Sequence, residues 1–198
     1  MKTRSEEVFE DFLSSYKLPF EKIKESDSKR PDYSVQIGDA ELIFEVKELT
    51  EHDQLETIGG PIRRAIDGSR KQVKYGANQG VPSVLLIYNR FDPCQSFGTD
   101  DLDFTTAMYG ELTALIDRET GESTEMFYGR NSLLQESKNT SFSAVGRLAE
   151  RFESAQIKTI ELTLFENAYS KIALPWELLP SCFVVRRVNI LNTPLKFT

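Results

Sequence analysis

Residues 30–49, RPDYSVQIGDAELIFEVKEL, constrain the fold more tightly than any other stretch of the chain. Leu42, Ile43, Phe44 and Val46 make an apolar run of strand character, and a second run precedes it across the turn pair Gly38-Asp39. Two strands joined by a tight turn are therefore expected over Tyr33 to Ile37 and Glu41 to Lys47. Glu45 and Lys47 interrupt the second strand two residues apart, so both project from one face of the sheet. Charge inside a buried strand demands a partner or a function. With Asp32, at the start of the hairpin, these residues form a candidate metal site.

The rest of the 198 residues sets the frame. With 39% hydrophobic and 28% charged residues the chain fits one globular domain, 1–198. No window approaches 18 uninterrupted apolar residues, and MKTRSEEVFEDFL lacks the apolar core of a secretion signal, so a cytoplasmic protein with no membrane partner is expected. Cys94 and Cys182 fit no metal-ligand spacing and are expected as two buried free thiols. A net charge of −7 argues against broad affinity for polyanions, so any nucleic-acid surface must be local. The best candidate is 61–75, where Arg63, Arg64, Arg70, Lys71 and Lys74 face the single acid Asp67; a solvated helix face explains the same residues equally well.

Periodicity places the remaining elements. Val8, Phe9, Phe12, Leu13 and Tyr16 predict an amphipathic helix over 5–17 with Ser5 as N-cap. A short strand is expected within Phe20 to Lys24, a mobile polar loop after Glu48, and a helix from Pro61 to about Tyr75. Val81 to Asn89 reads as a central strand covered on both faces, which makes the helix before it an α/β crossover. Beyond Arg90 the pattern weakens: a strand near Glu125 to Tyr128, a helix over Ser143 to Arg151, and strands over Ile157 to Phe165 and Phe183 to Leu191 are expected.

The tripeptide Asp/Glu-x-Lys occurs three times, as Asp27-Ser28-Lys29, Glu45-Val46-Lys47 and Glu136-Ser137-Lys138. Only the second ends an apolar strand. Of the eight prolines only Pro31 precedes an aspartate, and the hairpin is the right length to return Glu45 beside Asp32. Pro31-Asp32 followed by Glu45-Val46-Lys47 resembles the PD-(D/E)xK nuclease superfamily, over about residues 5–90 in element order. The resemblance implies a restriction-endonuclease-like α/β/α sandwich with a central mixed β-sheet, its core about 5–90, with 91–198 completing the sheet and carrying insertions. It implies further a metal-dependent nuclease acting on DNA phosphodiesters, with Mg²⁺ as cofactor and Mn²⁺ as substitute. Cutting both strands with one site per chain would favour a homodimer.

The chemistry calls for these residue types. A phosphodiester repels hydroxide, so hydrolysis benefits from a hard cation held by carboxylates, here Asp32 and Glu45, with the backbone carbonyl of Val46. Lys47 would position the attacking water or stabilise developing charge. In the superfamily the first helix often adds an acid: the angular position of Glu6, beside the apolar stripe, favours it over Glu10, against solvated first-turn acids as the plain alternative. Gln72, at the edge of the stripe of the second helix, is placed to reach the site. His52, the single histidine, makes histidine-pair metal sites and serine-histidine catalysis poor readings. Asp100, Asp101 and Asp103 lack the glycine and glutamate of a calcium loop, and Phe91, Phe97, Phe104, Tyr109, Phe127 and Tyr128 are expected in the core. Two other readings stand beside the nuclease: a catalytically silent nuclease-fold module that binds nucleic acid or protein, and an ion-pair ladder on an ordinary α/β domain.

Overall fold

The computed structural model describes residues 2–24, 29–50, 57–92, 94–152 and 158–188. Among them the chain forms a mixed α/β structure with a central seven-stranded sheet and three α-helices. In chain order the elements are α1 (Arg4–Ser15), β1 (Phe20–Lys22), β2 (Tyr33–Ile37), β3 (Ala40–Leu49), α2 (Gly60–Ala77), β4 (Ser83–Asn89), α3 (Asp101–Tyr109), β5 (Leu112–Ile116), β6 (Ser123–Tyr128), β7 (Ala144–Phe152), β8 (Lys158–Glu166) and β9 (Phe183–Arg186). The sheet order is β1-β2-β3-β4-β7-β8-β9, and β5-β6 stands apart as a two-stranded hairpin. No helix is long and apolar enough to cross a membrane among the described residues.

The β2–β3 hairpin turns at Gly38, whose φ of 58° a side chain would resist, and pairs Tyr33 with Phe44. β3 and β4 run parallel, with α2 as their crossover. Alternation divides β3 between two cores. Leu42, Phe44 and Val46 pack with Val8, Phe9, Phe12 and Leu13 of α1, whereas Leu49 packs with Ile62 and Ile66 of α2. The odd-numbered residues Ile43, Glu45 and Lys47 thus face α2. β4 is buried at all seven positions because both of its faces are covered, as its unbroken apolar run predicts.

Residues Ser143 to Arg151, expected as a helix, form the strand β7 instead. Its pairs Ala144/Leu148 and Val145/Ala149 carry the four-residue spacing of a helix, yet each pair also fills one face of a strand buried on both sides. Nine pairings with β8 and five with β4 override the local pattern. Thr3, not Ser5, caps α1: its hydroxyl accepts from the Glu6 amide at 3.3 Å and the Glu6 carboxylate accepts from the Thr3 amide at 2.8 Å, a reciprocal capping box. The unpredicted helix α3 has the same device, with Asp100 and Asp103 as the reciprocal pair, which accounts for acids that fit no calcium loop. Cys94 is exposed and Cys182 partly so, since both sit in surface turns rather than the core. Phe91, Phe97 and Phe127 are likewise exposed, while Phe104 and Tyr109 of α3 are buried. His52 and most of the loop after Glu48 lie outside the described residues, as do Asp27 and the far end of the strand expected to reach Leu191.

Candidate metal centre

The candidate centre lies where β3 outruns β2. Pairing between them stops at Tyr33 and Phe44, so beyond Phe44 the backbone of β3 has β4 on one side and, among the described residues, no strand on the other. Asp32 fills that gap. Its amide donates to the Phe44 carbonyl at 3.0 Å, and its side-chain Oδ2 accepts from the Val46 amide at 2.8 Å, replacing the lost ladder bond with a carboxylate. The amide and carbonyl of one strand residue point the same way, so the Val46 carbonyl shares this open edge with Asp32. A cation–π contact between Arg30 and Tyr75 of α2, at 5.7 Å, holds the segment before Asp32 against the crossover helix.

Glu45 is 2% exposed, and its Oε1 lies 2.5 Å from Lys47 Nζ, which is 38% exposed. Its Oε2 is buried with no hydrogen-bond partner. Burial pushes the Glu45 carboxyl up to about 7; the neighbouring Asp32 charge adds to the rise, and Lys47 opposes it. Asp32 is raised too, by burial first, while the Val46 amide and Lys47 pull it down. The two carboxylates therefore share one poorly solvated space and repel each other across it.

Glu150 shows how the same fold treats a buried acid that is fully partnered. At 7% exposure its Oε1 meets Arg4 at 2.6 Å and also Lys158, its Oε2 accepts from Tyr88 at 2.5 Å, and its carboxyl is held below the ordinary range by these partners. Glu45 has one cation, one bare oxygen and a raised carboxyl. An unsatisfied buried acceptor costs on the order of 1–3 kcal/mol, more when charged, and Glu45 carries that cost beside Asp32.

α2 contributes from above. A Cβ on Gly76 would come within 3.0 Å of Ile43, so helix and strand touch there. The crossover runs α2 antiparallel to β3, and one turn back along the helix (~6 Å) matches two residues forward along the strand (~6.6 Å), which sets Gln72 at the level of Glu45. Gln72 Oε1 and Ser69 Oγ are buried and also without partners. Three unsatisfied oxygens thus line the facing surfaces of α2 and β3. The sequence singled out Gln72 by its angular position; Ser69 sits in the apolar stripe itself and had no signal beyond being a hydroxyl there.

The first-helix acids are engaged elsewhere. Glu6 gives Oε2 to the capping box and Oε1 to Lys22 at 2.5 Å, while its charge still reaches Asp32. Glu10 accepts from the Tyr33 hydroxyl at 2.8 Å and pairs with Lys2 at 2.7 Å. Lys22, which the sequence reading passed over, lies opposite Tyr33 in the β1–β2 ladder. On the basic face of α2, Arg63 donates to the carbonyls of Ile58, Thr106 and Asn131 and so fastens the helix to its neighbours. Arg70 pairs with Asp67, and Arg64, Arg70, Lys71 and Lys74 are exposed. Of the other two Asp/Glu-x-Lys tripeptides, Glu136-Ser137-Lys138 forms a surface turn.

Among the described residues no three acidic, histidine or cysteine side chains converge on one point. The donor types at this edge, the neighbouring Asp32 and Glu45 carboxylates, one with a bare oxygen, and the Val46 carbonyl, fit a hard divalent ion that keeps several of its waters. Comparisons with family models, with curated proteins and with solved structures find no match to this chain.

Proposed function

We propose that the chain is a divalent-metal-dependent nuclease of the PD-(D/E)xK kind, with a restriction-endonuclease-like arrangement of its α/β sheet, hydrolysing phosphodiester bonds in DNA. The observation that carries the reading is the buried, unpartnered Oε2 of Glu45, a carboxylate that feels the Asp32 charge at the open edge of β3. In this reading Asp32 and Glu45 hold Mg²⁺ or Mn²⁺ together with the Val46 carbonyl. The ion supplies charge neutralisation at the phosphate and acidifies a water. Lys47, half in solvent and anchored to Glu45, presents its ammonium to the phosphate and the incoming water. Gln72 orients groups at the Glu45 side, and Arg64, Arg70, Lys71 and Lys74 form the cationic surface that tracks the DNA backbone.

The test is cleavage of plasmid and linear DNA with Mg²⁺, Mn²⁺ or EDTA. Asp32→Ala and Lys47→Ala are each expected to lower the rate at least ~100-fold, the size usual for losing one preorganised electrostatic group. Activity untouched by both substitutions sinks the nuclease reading. Inactivity of the wild type on DNA and RNA, with retained DNA binding, points instead to the silent nucleic-acid-binding module, a reading to which the existing Lys47–Glu45 pair lends itself.

A further inference from the structure

Lys22 is the second cation of the centre, and nothing in the motif requires it. It extends from the edge strand β1, opposite Tyr33, and the next residue, Ile23, donates its amide to the Asp32 carbonyl at 2.8 Å. Its Nζ sits 2.5 Å from Glu6 Oε1 and feels the charges of Glu6, Asp32 and Glu10. Glu6 is itself fixed: 12% exposed, its other oxygen locked in the capping box of α1. The ammonium is thereby held on the α1 side of the sheet, 5.8 Å from the ring of Tyr33, the residue next to Asp32, while Lys47 pairs with Glu45 on the α2 side. Asp32 stands between an acid–lysine pair on each face of the sheet.

Resting on the metal-site reading above, we propose that Lys22, positioned by Glu6, occupies the place beside Asp32 where a second divalent ion would otherwise bind, so that the centre takes one ion. Two acids flank Asp32, enough for two ions in a shared-carboxylate arrangement; only the Glu45 side keeps a bare buried oxygen. On the Glu6 side the positive charge is built in. A lysine supplies it without the ordered oxygen coordination that Mg²⁺ demands.

The test is a titration of the metal-free protein with Mn²⁺, followed by the loss of the free-ion electron paramagnetic resonance signal, for wild type, Lys22→Met, Lys22→Arg, Asp32→Asn and the double variant Lys22→Met/Glu6→Gln. Lys22 is half exposed on an edge strand, so Lys22→Met is expected to fold, and its circular dichroism spectrum verifies this. The expected result is one Mn²⁺ for wild type and for Lys22→Arg, two for Lys22→Met with spin coupling between them, and a return to one in the double variant. Asp32→Asn weakens binding at least ~10-fold. Two Asp32-dependent ions in wild type, or a single ion still in Lys22→Met, overturns the assignment to Lys22 while leaving the metal site standing. No Asp32-dependent binding in any variant overturns the metal reading itself.

Discussion

Replacing Glu45 by Gln isolates the energetic signature of the centre. Glu45 has its carboxyl raised from an ordinary 4.5 to about 7, through burial first and the Asp32 charge second. The folded state therefore keeps a proton that the unfolded state releases between those values, and stability falls as pH rises through about 7. At ~1.4 kcal/mol per pH unit of difference, the fold loses about 2–3 kcal/mol from this one residue between pH 5 and pH 8. Glutamine keeps the shape and cannot ionise. Urea unfolding of wild type and Glu45→Gln in EDTA at pH 5 and pH 8 gives the double difference, in which the titrations common to both proteins cancel. The wild type is expected to weaken by about 2–3 kcal/mol relative to the variant across that range. Mg²⁺ at ten times its dissociation constant is then expected to restore ~1.4 kcal/mol to the wild type at pH 8 and little to Glu45→Gln. Parallel pH profiles for the two proteins in EDTA would refute the claim that Glu45 is buried beside Asp32 without adequate compensation.

Two other outcomes follow from the fold and the helix surface. Gly146→Ala is expected to destabilise by ~1–3 kcal/mol in urea titrations, because its Cβ would lie 2.8 Å from Leu86, Leu164 and the Thr163 carbonyl in the middle of the sheet; an unchanged midpoint would contradict the packing of β7 between β4 and β8. Lys71→Ala/Lys74→Ala, measured by fluorescence anisotropy on duplex DNA in the Asp32→Asn background, should flatten the slope of log affinity against log salt by up to ~1.8, and an unaltered slope would remove this face of α2 from the interface.

The hairpin and the crossover were legible because each has a local cause. Gly38-Asp39 fixes the turn, alternation fixes the faces, and α2 carries a stripe whose angular edge contains Gln72. β7 was misread because a strand covered on both sides loses the alternation that distinguishes it from a helix; only its partners β4 and β8 settle the matter. Helix α3 is not legible in the sequence because it is buried on several sides and so shows no stripe, and its start is marked only by the acids of a capping box, Asp100 and Asp103. Glu6 illustrates the opposite limit. Its angle on α1 turns it toward the sheet, but angle says nothing of which partner its oxygens take, and Thr3 and Lys22 take both.

That distinction bears on how an acidic centre forms on the edge of a growing sheet. A hairpin whose second strand outruns its first leaves backbone donors bare at the point of divergence, and the cheapest group to satisfy them is a short acceptor side chain from the residue just before the first strand. Here that is Asp32 on the Val46 amide. Once a carboxylate is fixed there, the odd-numbered residue beside Val46 on the inner face, Glu45, inherits a charged neighbour in a dry setting, and the next residue on the same face, Lys47, is the closest place for a compensating cation. The x in Glu-x-Lys is then the residue whose backbone anchors the aspartate and whose side chain closes the core beneath it, which is why Val46 is apolar and 6% exposed. Glu136-Ser137-Lys138, by contrast, lies in a surface turn with no strand to outrun.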